Sequence, residues 1–249
     1  MPKIIGVNVA LSSYVEVAAY SVRWAREHKG RAIFFGNVHM LMEAHDDPTF
    51  RSELNDADLI NPDGMPLVWA LRASGERRAT RVYGPDATEV ILGAAQDSGV
   101  PVGFYGGSEE TLATLLTEVR RRYPELRIVY TMSPPFRALN QAEDDEIITR
   151  ILDSGAEMLF VGLGCPKQER WIMQRRDSLP IVMLGVGAAF DFLAGSKPQA
   201  PRWMMRNGLE WMFRLVSEPR RLAGRYFKHN PRFVMLFLHQ WLTEQKSRP

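Results

Sequence analysis

The chain has 249 residues, 45% of them apolar and 24% charged, which suits one large α/β domain with an appendage and excludes a collagenous, low-complexity or natively disordered chain. Its single cysteine, Cys165, excludes an intramolecular disulfide and fits a reducing compartment. The net charge of +2 hides an asymmetry: residues 200–249 carry ten Lys and Arg against three Asp and Glu, whereas the first 199 carry 21 basic and 26 acidic residues.

Short apolar, β-branched runs fall at 4–9, 32–35, 59–60, 102–105, 128–131, 158–161 and 181–186, and helical patterns such as 111–122 and 144–152 lie between most of them. Runs without polar alternation are those of parallel strands buried on both faces. The alternation predicts an α/β, Rossmann-like, mostly parallel sheet with helices on both faces. The opening MPKIIGVNVALSSY has no long apolar signal core, so export is not expected.

Polar and glycine-rich segments follow the strands. Asn37 comes after the second run, Asp63 and Gly64 after the third, Gly106 and Gly107 after the fourth, and Pro135 and Phe136 after the fifth. Gly162 to Glu169 follow the sixth and Asp191 the seventh. Parallel strands share one carboxyl edge, where ligands bind, so these segments are expected to converge on one cleft. Glycines there let a backbone approach a phosphate closely, although each pair alone is more often plain turn chemistry.

Several chemistries find no support. Gly162-x-Gly164 has Lys167 where a dinucleotide fingerprint needs glycine, Gly185-x-Gly187 has Phe190, and there is no GxxxxGK[ST] or GxSxG. His39 and Glu43 share a helical face but His45 lies off it, and HExxH is absent, so no metal site is expected. Asp63, in a turn just past a strand, is the first candidate for a general base, with Asp86 and Asp191 as rivals; an Asx-turn or helix cap is the plain alternative.

The basic tail also carries Trp203, Trp211, Phe227 and the apolar run 233–238, which is far shorter than the roughly 20 residues that span a bilayer. Cations among aromatics suit an anionic lipid surface. The alternative is a helical subdomain with solvated arginine faces. No nucleic-acid motif accompanies the cluster, and nucleic acid is not an expected partner. The division expected is 1–199 for an α/β catalytic domain and 200–249 for an amphipathic membrane-docking appendage.

The ordered motifs Gly36-Asn-Val-His-Met40, Asn61-Pro-Asp-Gly64, Arg81-Val-Tyr-Gly-Pro-Asp86, Phe104-Tyr-Gly-Gly107, Ser133-Pro-Pro-Phe136, Val161-Gly-Leu-Gly-Cys-Pro-Lys-Gln-Glu169, Gly185-Val-Gly-Ala-Ala-Phe-Asp191 and Gly208-Leu-Glu-Trp-Met-Phe-Arg-Leu215, with Glu218-Pro-Arg-Arg221, span nearly the whole chain. Together they resemble the WecG/TagA/CpsF glycosyltransferases, family twenty-six. The resemblance implies an inverting, metal-independent enzyme without cofactor. It would move a sugar from a UDP-sugar to a polyprenyl-diphosphate-linked sugar, as a homo-oligomer in the cytoplasm at the inner face of a bacterial membrane. It implies Asp63 as base with Asn37 beside it, and a donor site at Gly106, Gly107, Pro135, Phe136, Gly162, Gly164, Lys167, Gln168, Glu169 and Asp191. Arg214, Arg220 and Arg221 would meet the diphosphate. Phe35 and Gln199 stand where the family has threonine and arginine, so the threonine's hydroxyl role is either lost or reassigned to His39. The Asn-Val-His-Met version looks most like exopolysaccharide glucosyltransferases, so glucose is the expected sugar. N-acetylmannosaminyl or aminouronate transfer and a non-catalytic docking subunit are the alternatives.

Overall fold

A computed structural model describes residues 1–246. The run 4–9 does not join the main sheet, contrary to its predicted role as a parallel strand. Lys3–Ile4 (β1) and Val7–Asn8 (β2) form an antiparallel hairpin. Ile5 and Gly6 between them take φ of 49° and 80°, which reverses the chain within two residues.

The remaining runs build the sheet. Helix α1 (Tyr14–Ala25) leads to β3 (Arg31–Gly36), and α2 (Val38–Asp46) and α3 (Pro48–Asn55) lead to β4 (Leu59–Pro62). Next come α4 (Met65–Ala73), α5 (Gly84–Asp97), β5 (Val102–Gly106), α6 (Glu109–Arg122), β6 (Ile128–Met132) and α7 (Gln141–Asp153). Then follow β7 (Met158–Gly162), α8 (Lys167–Arg175), β8 (Val182–Gly185) and α9 (Ala189–Leu193). The tail is helical: α10 (Arg202–Arg206), α11 (Glu210–Ser217) and α12 (Pro219–Lys246).

The six strands run in the order β4-β3-β8-β7-β5-β6 with every neighbouring pair parallel, so all carboxyl ends share one edge. Side chains alternate between two cores. Ala32 and Phe34 of β3 join Leu159 and Val161 of β7 in a core closed by α2, α3, α4, α7 and α8. Ile33 and Phe35 join Met158 and Phe160 on the other face, under α1, α5, α6 and α9. This two-sided burial is why the strands read as unbroken apolar runs. The helices carry matching local signals: Ser108 caps α6, two glutamates open it and three arginines close it, in the sense the helix dipole favours.

The tail folds back over the first core. Phe233 is buried within it, and Arg232 pairs with Asp46 at 2.5 Å. Gln240 accepts from the Ile5 N–H at 2.7 Å and donates to the Lys3 carbonyl, and Trp241 Nε1 donates to the Ala73 carbonyl. Several tail arginines thus neutralise carboxylates. Nine of the sixteen exposed large apolar residues among the described residues also lie in the tail, including Trp203, Val216, Phe227 and Met235. No helix of the described residues is long and apolar enough to cross a membrane.

Candidate active site

The predicted single cleft is two cavities. The middle of the edge is filled by Phe190 and Gln168, 2% and 4% exposed. A Cβ on Gly162 would meet the Phe190 ring at 2.7 Å, and one on Gly185 would meet the Gln168 amide at 3.2 Å. The ends of β3 and β4 therefore open to one side, and those of β5, β6 and β7 to the other.

The first cavity, about 330 Å³, lies between the ends of β3 and β4 and the tail helices. Asn37, His39, Asp63, Arg81, Glu210, Arg214, Arg225 and His229 are among its lining residues. Asn37 caps α2 by accepting from Met40 N–H at 3.3 Å. Asp63 is placed by its own N–H, which donates to the Gly36 carbonyl at 2.8 Å and locks the turn after β4 to the end of β3. Below it Asn61 accepts from Ser12 and donates to the Phe34 carbonyl, so this buried polar residue is satisfied and structural.

Asp63 Oδ1 accepts from Gly84 N–H at 3.3 Å and lies 3.6 Å from an Arg81 nitrogen. Arg81 also donates through Nε to the Asp63 backbone carbonyl and pairs with Glu210 at 2.5 Å. Burial pushes the Asp63 carboxyl up to about 6, Arg81 and Arg214 pull against that, and Glu210 adds to it. A carboxyl that titrates there is ionised at neutral pH and holds a proton more readily than an ordinary aspartate, as a general base requires. Arg214 lies 3.8 Å from Glu210, and the Nε atoms of Arg214 and Arg225 are buried without a hydrogen-bond partner. Burial lowers the Arg225 pKa, with Arg221 and Arg214 adding to the effect. Burial also takes His39 down to about 4, with Arg225 and His229 adding to it, so His39 is neutral at working pH.

The rival aspartates are occupied elsewhere. Asp86 pairs with Arg202 at 2.6 Å, and Asp191 pairs with Lys197 at 2.9 Å.

The second cavity, about 470 Å³, lies over the ends of β5, β6 and β7. It is lined by Gly107, Pro135, Phe136, Gly162 and Lys167, with Tyr105, Asp144, Arg170, Trp171 and Arg175 from the flanking elements. Gly106 and Gly107 have φ of 123° and 72°, and a Cβ on Gly106 would stand 2.6 Å from the Gly162 backbone. Only glycine permits that approach. Phe136 is 89% exposed at the rim.

Other predicted residues lie apart from both cavities. Gln168 braces the 162–164 loop from beneath: its Oε1 accepts from Gly164 N–H, and its amide donates to Glu169. Glu169 is fully buried, and burial lifts its carboxyl to about 7. Arg221 is tied to Glu218 at 2.6 Å, and Arg220 is exposed. Of the three predicted tail arginines only Arg214 reaches a cavity. Arg225, Arg81, Glu210 and His229 were not singled out from sequence. For Arg225 and His229 a signal existed: both fall on the helical stripe of α12 that carries the buried Leu222 and Phe233.

A parallel sheet with a carboxylate of raised pKa in an arginine-lined cavity at its carboxyl edge is an arrangement of the α/β enzyme class. The chain belongs to the WecG/TagA/CpsF glycosyltransferases: the model described as the Glycosyl transferase WecG/TagA/CpsF family matches residues 2–247. It is 30% identical over 216 residues to the N-acetylglucosaminyldiphosphoundecaprenol N-acetyl-beta-D-mannosaminyltransferase of Bacillus spizizenii (strain ATCC 23059 / NRRL B-14472 / W23), covering 86% of this chain and 81% of that protein. It is 27% identical over 215 residues to the protein of the same name from Bacillus subtilis (strain 168), with the same coverage.

Proposed function

We propose that this glycosyltransferase moves an N-acetylhexosamine, N-acetylmannosamine first, from a UDP-sugar to a sugar carried on a polyprenyl diphosphate. The names of the two Bacillus relatives support that donor over the glucose expected from sequence. The observation that carries the mechanism is Asp63, held by Arg81 and Gly84 in the cavity that Arg214 and Arg225 also line. Asp63 takes the proton of the acceptor hydroxyl as that oxygen forms its bond to the anomeric carbon and the bond to UDP breaks. The arginines stabilise the charge that grows on the departing diphosphate, a role a magnesium ion plays in other transferases. The glycine loops of the second cavity suit the nucleotide, because their backbones admit close contact with an anion. The exposed apolar and basic residues of the tail dock the enzyme on anionic lipid, where its acceptor resides.

Glucose transfer is the second reading. Phe35 is 6% exposed and packs against Gly84, so it supplies no hydroxyl to the cavity where relatives of the threonine type would. One assay separates the readings. The purified chain is given polyprenyl-diphosphate acceptors bearing N-acetylglucosamine or glucose, with UDP-N-acetylmannosamine, UDP-glucose or UDP-glucuronate, without added magnesium. Transfer from UDP-N-acetylmannosamine is the expected outcome. Transfer from UDP-glucose alone would establish the second reading, and no transfer from any donor would defeat both.

A further inference from the structure

Glu43, one turn beyond His39 on α2, faces two imidazoles. Its Oε1 lies 3.7 Å from His39 Nδ1 and 3.8 Å from His229 Nε2. One ligand atom from each of the three residues falls within 4.8 Å of the other two. Sequence spacing offered His45 as a third ligand; the fold supplies His229 instead, from α12. The two rings stand 5.3 Å apart.

Hydrogen bonds do not account for this convergence. The Nδ1 atoms of His39 and His229 are both buried without a hydrogen-bond partner, and His229 is only 4% exposed. His39 also meets the backbone carbonyl of Cys165. Its Nδ1 stands 3.7 Å from Glu43 Oε1, beyond hydrogen-bonding distance. An imidazole nitrogen and a carboxylate at that spacing are both groups that a transition metal takes as ligands. A backbone carbonyl against an imidazole is also a contact that orients metal-binding histidines.

We propose that His39, Glu43 and His229 bind a divalent transition metal of the zinc class, which fastens α12 to α2 at the wall of the Asp63 cavity. Zinc takes imidazole and carboxylate ligands at about 2.0–2.2 Å, so tetrahedral ligand atoms stand about 3.4 Å apart. The 3.7 and 3.8 Å separations need to close by less than about 0.5 Å and the two histidine ligand atoms, within 4.8 Å of each other, by at most about 1.4 Å, and one coordination position is left for water or substrate. Two imidazoles disfavour magnesium and calcium, which take oxygen ligands. Arg225 and Lys228 lie close enough to oppose a cation, which again selects a metal held by strong ligand bonds rather than by net charge. The ion differs from the expectation of no metal, but it sits between helices and leaves the diphosphate to the arginines.

The test is zinc binding by the full-length chain, independent of transfer. Protein stripped with chelator is titrated with zinc against a chromophoric competitor, and cobalt is added separately to record its visible absorption. One equivalent per chain is expected, with a tetrahedral cobalt spectrum. Zinc should raise the Tm of the wild type. His229→Ala and Glu43→Gln should each weaken binding by at least about 10–100-fold, the scale on which even an outer partner of a metal site matters. His45→Ala should bind as the wild type does. Thermal melts without zinc establish that each variant is folded, and Glu43→Gln, the closest in shape, carries the test if His229→Ala does not fold. The proposal is overturned if the wild type binds no more zinc than the His39→Ala/His229→Ala double variant, or if His45→Ala removes as much binding as His229→Ala. Zinc binding without sugar transfer would leave this site standing and count against the proposed function alone.

Discussion

The two cavities at the strand ends are built from opposite materials. The Asp63 cavity is a lattice of paired charges: Asp63, Arg81 and Glu210 run in series, Arg214 meets Glu210, and Arg225 stands beside them with its Nε buried and without a hydrogen-bond partner. The other cavity owes its shape to backbone, with Gly106 and Gly107 in left-handed conformations against Gly162 and an exposed Phe136 at its rim. A site of opposed charges in partial burial shifts pKa values and suits proton transfer. A site of bare backbone and turn glycines suits an anion that needs close approach. The tail lines only the first, so the charged cavity and the appendage are coupled by contact, whereas the glycine loops have no tail residue among their lining.

Substitutions in the charged cavity should produce the largest effects. Asp63→Asn should lower turnover by about 10²–10⁴-fold, the usual worth of a general base, while UDP affinity measured by calorimetry is kept. Arg214→Ala and Arg225→Ala should each cost about 10²–10³-fold in kcat, as loss of one preorganised donor to a developing anion does. Arg220→Ala, on the exposed face of the helix that carries Arg225, should stay within about twofold, and an equal loss there would erase the distinction between the two faces of α12.

The glycine cavity should respond in stability and donor binding instead. Gly106→Ala places a methyl against the Gly162 backbone at a positive φ, and a loss of about 2–4 kcal/mol in chemical denaturation is expected, with weakened UDP binding. Beneath that loop, Glu169→Gln should act through pH. The Glu169 carboxyl is raised from 4.5 to about 7, so its protonated form favours the fold below about pH 4.5 and that contribution is lost as the pH rises through 7. The variant should match the wild type at pH 4 and exceed it by up to about 3 kcal/mol at pH 8, read as a rise in Tm.

Six strands, the parallel sheet and the strand-end placement of Asn37 and Asp63 were legible because each depends on local pattern. An apolar run such as 158–161 is buried on both faces wherever it sits in the sheet. The run 4–9 misled because Ile5 and Gly6 turn the chain inside what composition presents as one strand. The division into two cavities was not legible, since it rests on Phe190 and Gln168 packing against Gly162 and Gly185 across the sheet. Nor was the pairing of Arg81 with Glu210, which joins residues 129 positions apart with no periodic signal. Arg225 and His229 were within reach, because the helical period that buries Leu222 and Phe233 also turns them inward.

The most direct test of the role of Asp63 is the pH dependence of kcat/KM for sugar transfer by the full-length chain. The carboxyl at about 6 predicts a plateau above that pH and a tenfold fall for each unit below it, with the fall absent from the residual activity of Asp63→Asn. A flat profile down to pH 5, or the same inflection retained in Asp63→Asn, would show that another group takes the proton.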